Sequence, residues 1–320
     1  MLHQLNPPPP MKTPRPAATL GSRSSRRNFL KHGALAGGSL LLLAAGPRGL
    51  GAEPALAGAT ETSPEPANDT LRTIHRLHTT HGNFLEKALP EASLQTILQA
   101  SVRAAGASNN QSYAIIVVKD RKLMADLCGY HGGCLLLYCA DYNRMKASAA
   151  ALGYDYEPGT IVDFVTATIN TTLAAQTAVI AARSLGIDSL LTNGIHRGDM
   201  ERIWKLLDLP PAHCFPIIAL VLGYADREPS YRMGRLEDTG VIHHERYHRL
   251  TKEEVAEISR QYDDKERHLG LNGDWDTRGY KHYLDWYFKA WAGRNLQPGS
   301  EETQMLQLLK RSGFVELRTS

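Results

Sequence analysis

The amino-acid sequence predicts an α+β fold, in which buried strands pack against helices. Three apolar runs, at 114–118, 135–140 and 214–224, are rich in aliphatic side chains and bounded by turn residues, as is typical of buried strands. The segment 161–185 is dense in alanine, which predicts a long helix packed closely inside the domain. The pair Gly132-Gly133 belongs to no G-x-G-x-x-G pattern that follows a strand, so a dinucleotide-binding Rossmann unit is not predicted.

The first 59 residues are predicted to be an export signal and a flexible leader. Residues 25–31 read Ser-Arg-Arg-Asn-Phe-Leu-Lys, which has the form of a twin-arginine signal, and an apolar run at 33–45 follows. A membrane anchor needs about 20 apolar residues, and this run is shorter and interrupted by glycine. We therefore expect cleavage near Ala57 or Ala59, export to the periplasm or otherwise out of the cytoplasm, and no stable membrane insertion afterwards.

The basic charge of the chain comes from this leader. Residues 1–59 contain seven of the 36 Lys and Arg residues and one of the 33 Asp and Glu residues, which leaves 29 basic and 32 acidic side chains. The net charge therefore changes from +3 to −3 (29 − 32) when the leader is removed. A weakly acidic protein of this kind does not predict nucleic acid as a partner.

The four cysteines predict buried thiols rather than a metal site. Cys128, Cys134, Cys139 and Cys214 follow no zinc-ribbon spacing. Cys139 lies in an apolar strand and Cys214 precedes another, and folding in the reducing cytoplasm before export argues against an obligatory disulfide framework. A pair between Cys128 and Cys134 stays open.

Helices are predicted on both sides of the strands. The first runs from Asn68 to His78, with Asn68 or Asp69 as its cap. Further helices are predicted at 94–105, 122–127, 199–207, 252–265, 278–292 and 301–311. Aromatic residues in the C-terminal part, such as Trp275 and Trp286, are expected in core or subunit packing, and the alternative is a wall that faces the substrate.

A polar hinge joins the helix at 94–105 to the first strand. Gly106 can end a helix, and Ser108, Asn109 and Gln111 supply compact donors and acceptors at the turn. The sequence Ala-Gly-Ala-Ser-Asn-Asn-Gln-Ser-Tyr at 105–113 resembles the A-P-S-x-x-N-x-Q-P-[WF] loop of the FMN-dependent nitroreductase family, although both prolines are missing. The resemblance implies that Ala107, Ser108, Asn109 and Gln111 contact FMN. The alternative is a capped turn.

Residues 78–84, His-Thr-Thr-His-Gly-Asn-Phe, resemble the R-[RH]-S-x-[RK]-x-F segment that holds the FMN phosphate and ribityl chain in that family. The resemblance makes His78, Thr79, Thr80 and His81 candidate cofactor-binding residues. Two of the family's three cations are absent. Arg76 or His81 could replace them, because a phosphate needs nearby positive charge rather than one fixed residue type. Alternatively, the histidines at spacing three line one face of a helix.

Two later segments extend the resemblance. Thr192, Asn193 and Gly194 follow a short apolar strand that is similar to the family's L-G-[LI]-x-S strand and turn, which implies that their backbone groups lie near the flavin N5 atom. Arg232 and Arg235 stand where the family places Lys or Arg on the phosphate. The alternatives are an ordinary turn and solvated arginines.

These segments occur in the family's order, so residues 68–250 resemble an FMN-dependent nitroreductase. The resemblance implies a three-layer fold with a central mixed or antiparallel sheet surrounded by helices, to which residues 251–320 add a C-terminal helical extension. It also implies a homodimer with two FMN molecules at the subunit interface, and electron transfer between a donor and a small organic substrate such as a nitro compound or quinone. No catalytic side chain is predicted, because the flavin carries the chemistry.

Two other functions stay open at this stage. One is a non-catalytic flavin-binding or electron-relay protein. The other is a metal hydrolase built on residues 243–248, although His-His-Glu-Arg-Tyr-His lacks the H-E-x-x-H spacing and no metal ligand is predicted. Because NAD(P)H is scarce outside the cytoplasm, we expect either an extracytoplasmic redox partner as donor or oxidation of a substrate with reduction of the flavin.

Overall fold

The computed structural model describes residues 68–292 and 300–315. These residues belong to one compact unit, Ser63–Ser320. The predicted signal peptide and its cleavage site lie outside the described residues.

A four-stranded antiparallel sheet forms the centre of this unit, with strand order β1-β2-β4-β3. The strands are β1 (Tyr113–Val118), β2 (Cys134–Asp141), β3 (Asp188–Thr192) and β4 (Cys214–Gly223). A β-bulge interrupts the pairing of β2 with β4 between Tyr138 and Cys139. The three strands predicted from apolar runs are confirmed to within one residue at each end.

Helices pack on the sheet and around it. They are α1 (Asp69–His75), α2 (Glu91–Ser101), α3 (Arg121–Cys128), α4 (Asn143–Ala151), α5 (Ile161–Ser184), α6 (Glu201–Leu207), α7 (Lys252–Asp263), α8 (Tyr283–Trp286) and α9 (Ser300–Arg311). A π-helical turn, Tyr287–Ala292, follows α8. The α+β prediction is therefore confirmed.

Both faces of the sheet are buried, which explains why its strands are continuously apolar. Successive side chains of a strand point to opposite faces. Accordingly, Leu135 and Leu137 of β2 belong to one core with α3 and α6, and Leu136 and Tyr138 belong to a second core with α2 and α5. The C-terminal α9 contributes Leu308 to the first core.

The long helix α5 lies against the second face. Thr160 and Asp163 form a capping box at its start, and Gly186, with φ of 69°, follows its end. The buried residues Ala174, Ala175, Ala178 and Ala182 are fully inaccessible and let the helix approach the sheet closely. By length and composition alone α5 is a candidate membrane span, but these alanines make it a core helix of the domain.

Three helix predictions need correction. The helix predicted from Asn68 to His78 ends at His75. The helix predicted at 94–105 ends at Ser101, since the amides of Arg103 and Ala104 bond to carbonyls only three residues back and tighten the chain into a turn. The helix predicted at 278–292 begins at Tyr283 instead. Gly279 has φ of 82°, which a continuous helix does not allow. Helix α4 was not predicted.

The cysteines and the C-terminal aromatic residues pack as expected. Cys128, Cys134, Cys139 and Cys214 are buried free thiols, so the open pair between Cys128 and Cys134 is not formed. Trp275, Tyr283 and Trp286 form a separate apolar cluster around α8.

Candidate functional site

The segment after α1 runs beside the edge strand β3. The amide of Thr80 donates to the carbonyl of Ser189 at 3.0 Å, and Phe84 forms an isolated bridge with Ala225. Thr80 is 4% exposed, and its Oγ1 atom has no hydrogen-bond partner among the residues that the structure describes. These contacts fix residues 78–84 beside the first residues of β3.

The buried carboxylate of Asp188, the first residue of β3, contacts several elements. Its Oδ1 accepts from Nη1 of Arg183 at 2.9 Å, and its Oδ2 accepts from the amide of Ala225 at 2.9 Å. Nε2 of His78 lies 3.5 Å from Oδ1, and the His78 side chain is 6% exposed. Glu228 adds a second acidic partner, 3.7 Å from both Arg183 and His78. The carboxylate thus joins α5, β3 and the segment after α1.

A cavity of about 260 Å³ opens between this segment, α5 and β3. It is lined by Leu77, His78, Thr79, Gln176, Val179, Ser189, Leu191 and Arg235. Nη1 of Arg235 donates to the carbonyls of Met233 and Gly234, at 3.2 and 2.7 Å. Within the described residues Arg235 forms no ion pair with an acidic side chain. The cavity therefore carries a cation whose charge is available to an anionic ligand.

The other predicted cations lie in a neighbouring cavity of about 270 Å³. Its lining comprises Arg76, His78, Arg183, Glu228, Pro229 and Arg232. Nη1 of Arg232 donates to the carbonyl of His75 at 2.5 Å. His78 lines both cavities. The structure thus separates Arg76 and Arg232 from Arg235, with His78 between them.

A third and larger cavity, of about 520 Å³, lies on the other side of Thr79. Thr79, Thr80, His81 and Asn83 line it together with residues 227–231 and Met233. Thr79 also lines the 260 Å³ cavity, and His78 lines the 270 Å³ cavity. The predicted phosphate segment therefore contributes to all three cavities.

Residues 106–112, here called the Asn/Gln loop, lie elsewhere and line none of these three cavities. Ala107–Asn109 form a short 3-10 turn, and the side chains of Ser108, Asn109 and Gln111 are exposed. The loop instead contacts Asn170 of α5 and Arg144 of α4. A single chain therefore does not bring the Asn/Gln loop to the cavity beside His78 and Thr79.

The predicted Thr-Asn-Gly turn continues directly from β3. Thr192 Oγ1 accepts from the amide of Gly194 at 3.0 Å, and a 3-10 turn begins at Gly194. A Cβ atom at Gly194 would lie 2.8 Å from the carbonyl oxygen of Cys128, so this position needs glycine. Leu191, which lines the 260 Å³ cavity, immediately precedes this turn.

Residues beyond 250 contact the loop that carries Arg232 and Arg235. This support was not predicted from the sequence. The amide of Gly234 donates to the carbonyl of His268 at 3.1 Å, and the rings of Tyr231 and His268 stack at 3.9 Å. A Cβ atom at Gly234 would lie 2.0 Å from the carbonyl oxygen of Arg267. The C-terminal part thus fixes the loop at 231–235, and no local sequence signal predicts this long-range contact.

Several groups that lie away from the cavities have a pKa shifted by burial. Desolvation raises the pKa of the Cys134 thiol to about 11 and also raises that of Cys128, so neither is a ready nucleophile. Burial lowers the pKa of His196, whose Nε2 donates to the carbonyl of Pro216 at 2.9 Å. These groups therefore have structural roles.

The His-rich segment 243–248 forms local hydrogen bonds. Nε2 of His248 lies 2.8 Å from Oε2 of Glu254, and Nδ1 of His243 accepts from the amide of His248. Across residues 68–292 and 300–315, no three His, Cys, Asp or Glu side chains form a group that could hold a metal ion.

Comparison with known proteins identifies the fold. No family model matches the sequence. The structure is similar to that of NfrA1 from Bacillus megaterium, with a TM-score of 0.66 and 25% identity over 78% of this chain and 100% of that one. It is also similar to the NADPH:FMN oxidoreductase from Vibrio harveyi, with a TM-score of 0.62 and 21% identity over 78% and 100%. The chain has the nitroreductase fold.

Sequence relatives support an oxidoreductase of this nitroreductase type. A protein described as NADPH-dependent oxidoreductase from Staphylococcus aureus strain USA300 is 27% identical over 269 residues, which is 78% of this chain and 99% of that protein. The same description applies to a 26% identical protein from strain N315, over the same shares. Because 78% of 320 residues is about 250 and the range 68–250 holds only 183 (250 − 68 + 1), the similarity extends beyond the range predicted from motifs.

Proposed function

We propose that this protein is an FMN-dependent oxidoreductase that transfers electrons between a donor and a small organic substrate, such as a nitro compound or a quinone. The observation that carries the proposal is the 260 Å³ cavity lined by His78, Thr79 and Arg235 at the edge of β3. It places Arg235, which has no acidic partner in the described part of the chain, beside the strand that leads into the Thr192–Gly194 turn.

The residues of the cavity suit a phosphorylated flavin. Arg235 and the Thr79 hydroxyl supply a cation and a donor for a phosphate. The buried Thr80 hydroxyl, which has no partner within residues 68–292 and 300–315, adds a further donor at the same segment. Thr192, Asn193 and Gly194 would present backbone groups to the ring. When bound, FMN supplies hydride and electron transfer, and the protein binds it, orients it and admits the substrate.

A homodimer would bring the Asn/Gln loop to the cofactor. One stripe of α5 exposes apolar side chains that a single chain leaves uncovered, namely Ile161, Val162, Val165, Ile169 and Leu173. Their exposed fractions lie between 41 and 68%. Burying such a stripe against a second copy is favourable, by about 25 cal/mol for each Å² of apolar surface. We propose that Ser108, Asn109 and Gln111 then contact the flavin at the subunit interface.

Export in the folded state agrees with a cofactor acquired before translocation. The twin-arginine motif at 25–31 supports this part of the proposal. Outside the cytoplasm the electron donor would be a redox partner, or the substrate itself would reduce the flavin.

The test is the visible spectrum of the folded protein purified from its native host. We expect a yellow protein that releases FMN on heating and reduces nitroaromatic compounds or quinones. A yellow protein that turns over no substrate would instead support an electron relay, and a protein that neither contains nor takes up flavin would overturn the proposal.

A further inference from the structure

Asn170 is a buried amide in the middle of α5, and it holds the Asn/Gln loop at three points. Its Oδ1 accepts from the amide of Ala107 at 2.9 Å. Its Nδ2 donates to Oδ1 of Asn110 at 3.0 Å and to Oγ of Ser112 at 2.9 Å. Asn170 is 1% exposed, so water cannot replace these bonds. The loop thus satisfies both amide donors and the carbonyl oxygen of one buried side chain.

The loop has a backbone shape that it would not keep by itself. Ser108, Asn109 and Gln111 have φ of 51°, 52° and 48°, in the left-handed region that side chains with a Cβ atom disfavour. Such conformations persist when the surrounding structure enforces them. Asn170 does so from inside the domain, because its bonds to Ala107 and Ser112 fix the two ends of the turn.

A second side chain, that of Arg144, also holds the loop. The guanidinium of Arg144 donates to the carbonyls of Asn110 and Gln111. With its backbone held on both sides, the loop presents the side chains of Ser108, Asn109 and Gln111 outward, where all three are exposed. These are the side chains that the proposed function places against the flavin.

We infer that Asn170 is a positioning residue that sets the Asn/Gln loop in its flavin-binding shape before any cofactor arrives. This inference rests on the proposed function for the identity of the ligand. Asn170 also joins this loop to α5, whose neighbouring residue Ile169 is 53% exposed on the proposed dimer surface. The same helix therefore shapes the loop and carries the surface through which it would meet a second subunit.

Two substitutions remove the contacts in different ways. Asn170→Leu keeps a similar volume but forms none of the three bonds. Asn170→Asp keeps the acceptor for Ala107 and can accept from the Ser112 hydroxyl, but it has no donor for Asn110. Asn110 cannot turn its amide to compensate without losing the bond that its Oδ1 accepts from the amide of Ser112, at 3.2 Å.

The matched control is Thr171→Val on the same helix. Thr171 is 0% exposed, and its hydroxyl donates to the carbonyl of Ala167 at 2.6 Å, within α5 itself. This change removes a buried polar group next to Asn170 without removing a bond to the loop.

The experiment measures hydrogen exchange at residues 107–112 in flavin-free protein, together with the dissociation constant and visible spectrum of added FMN. In both Asn170 variants we expect at least about tenfold faster exchange in the loop and a roughly tenfold higher dissociation constant, which corresponds to about 1.4 kcal/mol. The flavin absorption bands should shift, since the donors near the ring move. Thr171→Val should leave the loop exchange and the spectrum unchanged.

Unchanged exchange in a folded Asn170→Leu protein would overturn the inference. If that variant does not fold, Asn170→Asp still breaks the bond to Asn110, and unchanged exchange across residues 107–112 in that variant would overturn the inference equally. Wild-type protein that binds no FMN would instead defeat the proposed function. The exchange measurement needs no flavin, so the two failures are distinguishable.

Discussion

The two regions assigned to the cofactor are held in different ways. Neutral hydrogen bonds to the buried Asn170 fix the Asn/Gln loop. Backbone bonds, such as that from Gly234 to His268, hold the segments at 76–81 and 227–235, and ion pairs of Glu228, which is 68% exposed, add to them. Salt weakens exposed ion pairs far more than buried neutral bonds. The Asn/Gln loop should therefore be less sensitive to salt than the ion pairs on the cavity side.

The largest effect on FMN binding is expected when the two regions cannot meet across a dimer interface. Val165→Glu combined with Ile169→Glu places charges on the exposed stripe of α5, where these residues are 50 and 53% exposed. Because burying unpaired carboxylates is costly, we expect monomers and an FMN dissociation constant raised about a hundredfold. Analytical ultracentrifugation and flavin titration measure both effects.

Val255→Glu on α7 is the matched control, because Val255 is also 50% exposed but lies outside the stripe. A double variant of α5 that stays dimeric would remove the proposed interface.

A smaller effect is expected from the cavity side alone. Arg232→Ala together with Arg235→Ala removes two cations from the neighbouring cavities. A lost charge-assisted hydrogen bond costs about 1.5–3 kcal/mol, so FMN binding should weaken roughly 10- to 100-fold, and high salt should reduce the difference from wild type. Fluorescence titration at two salt concentrations measures this. Arg72→Ala on α1 is the control, and wild-type affinity in the double variant would contradict the phosphate assignment.

The contact that supports the loop at 231–235 can be tested directly. Gly234→Ala puts a methyl group where only 2.0 Å separates it from the carbonyl oxygen of Arg267, so the backbone must shift. We expect the free energy of unfolding to fall by about 1–3 kcal/mol, with FMN binding weakened several-fold. Gly273→Ala is the control, since nothing lies within 4 Å of its added Cβ. Equal stability of the two variants by urea denaturation would show that the 231–235 loop is not fixed by this contact.

The smallest expected effect concerns pH and lies away from both regions. Burial lowers the pKa of His196 from its ordinary value of 6.5. Below pH 6.5 the unfolded chain therefore binds a proton that the folded protein excludes, and this contribution to stability is lost as the pH falls towards the folded pKa. Thermal unfolding between pH 5 and pH 8, the range in which histidine changes charge, should show a shallower acid-side decline for His196→Gln. An identical slope in both proteins would contradict this role.

Local sequence patterns were sufficient for most of the fold. The apolar runs predicted three strands of the sheet, and the alanine-rich segment predicted α5 to within one residue, because burial on one or both sides imposes a visible pattern. The edge strand β3 was predicted only as a short apolar strand after Gly186. The broken helix before Tyr283 was missed, since a left-handed Gly279 is compatible with many local sequences.

The arrangement of the candidate site was less accessible to sequence reasoning. The order of the motifs identified four candidate segments, at 78–84, 107–111, 192–194 and 232–235. It could not show that these segments lie at separate places in the structure. The roles of Asn170, Asp188 and His268 were also missed. Each acts through a contact with residues distant in sequence, and a buried Asn or Asp in a helix or strand looks like any other polar residue until its partners are known.

The order of strands in the sheet has a consequence for biosynthesis. The two central strands, β2 and β4, pair with each other although residues 142–213 lie between them in the chain. Contacts between such distant segments form slowly, since a long loop must close first. The proposed export signal at 25–31 would leave the ribosome well before residue 223, so export of the folded protein would have to wait until β4 has paired with β2.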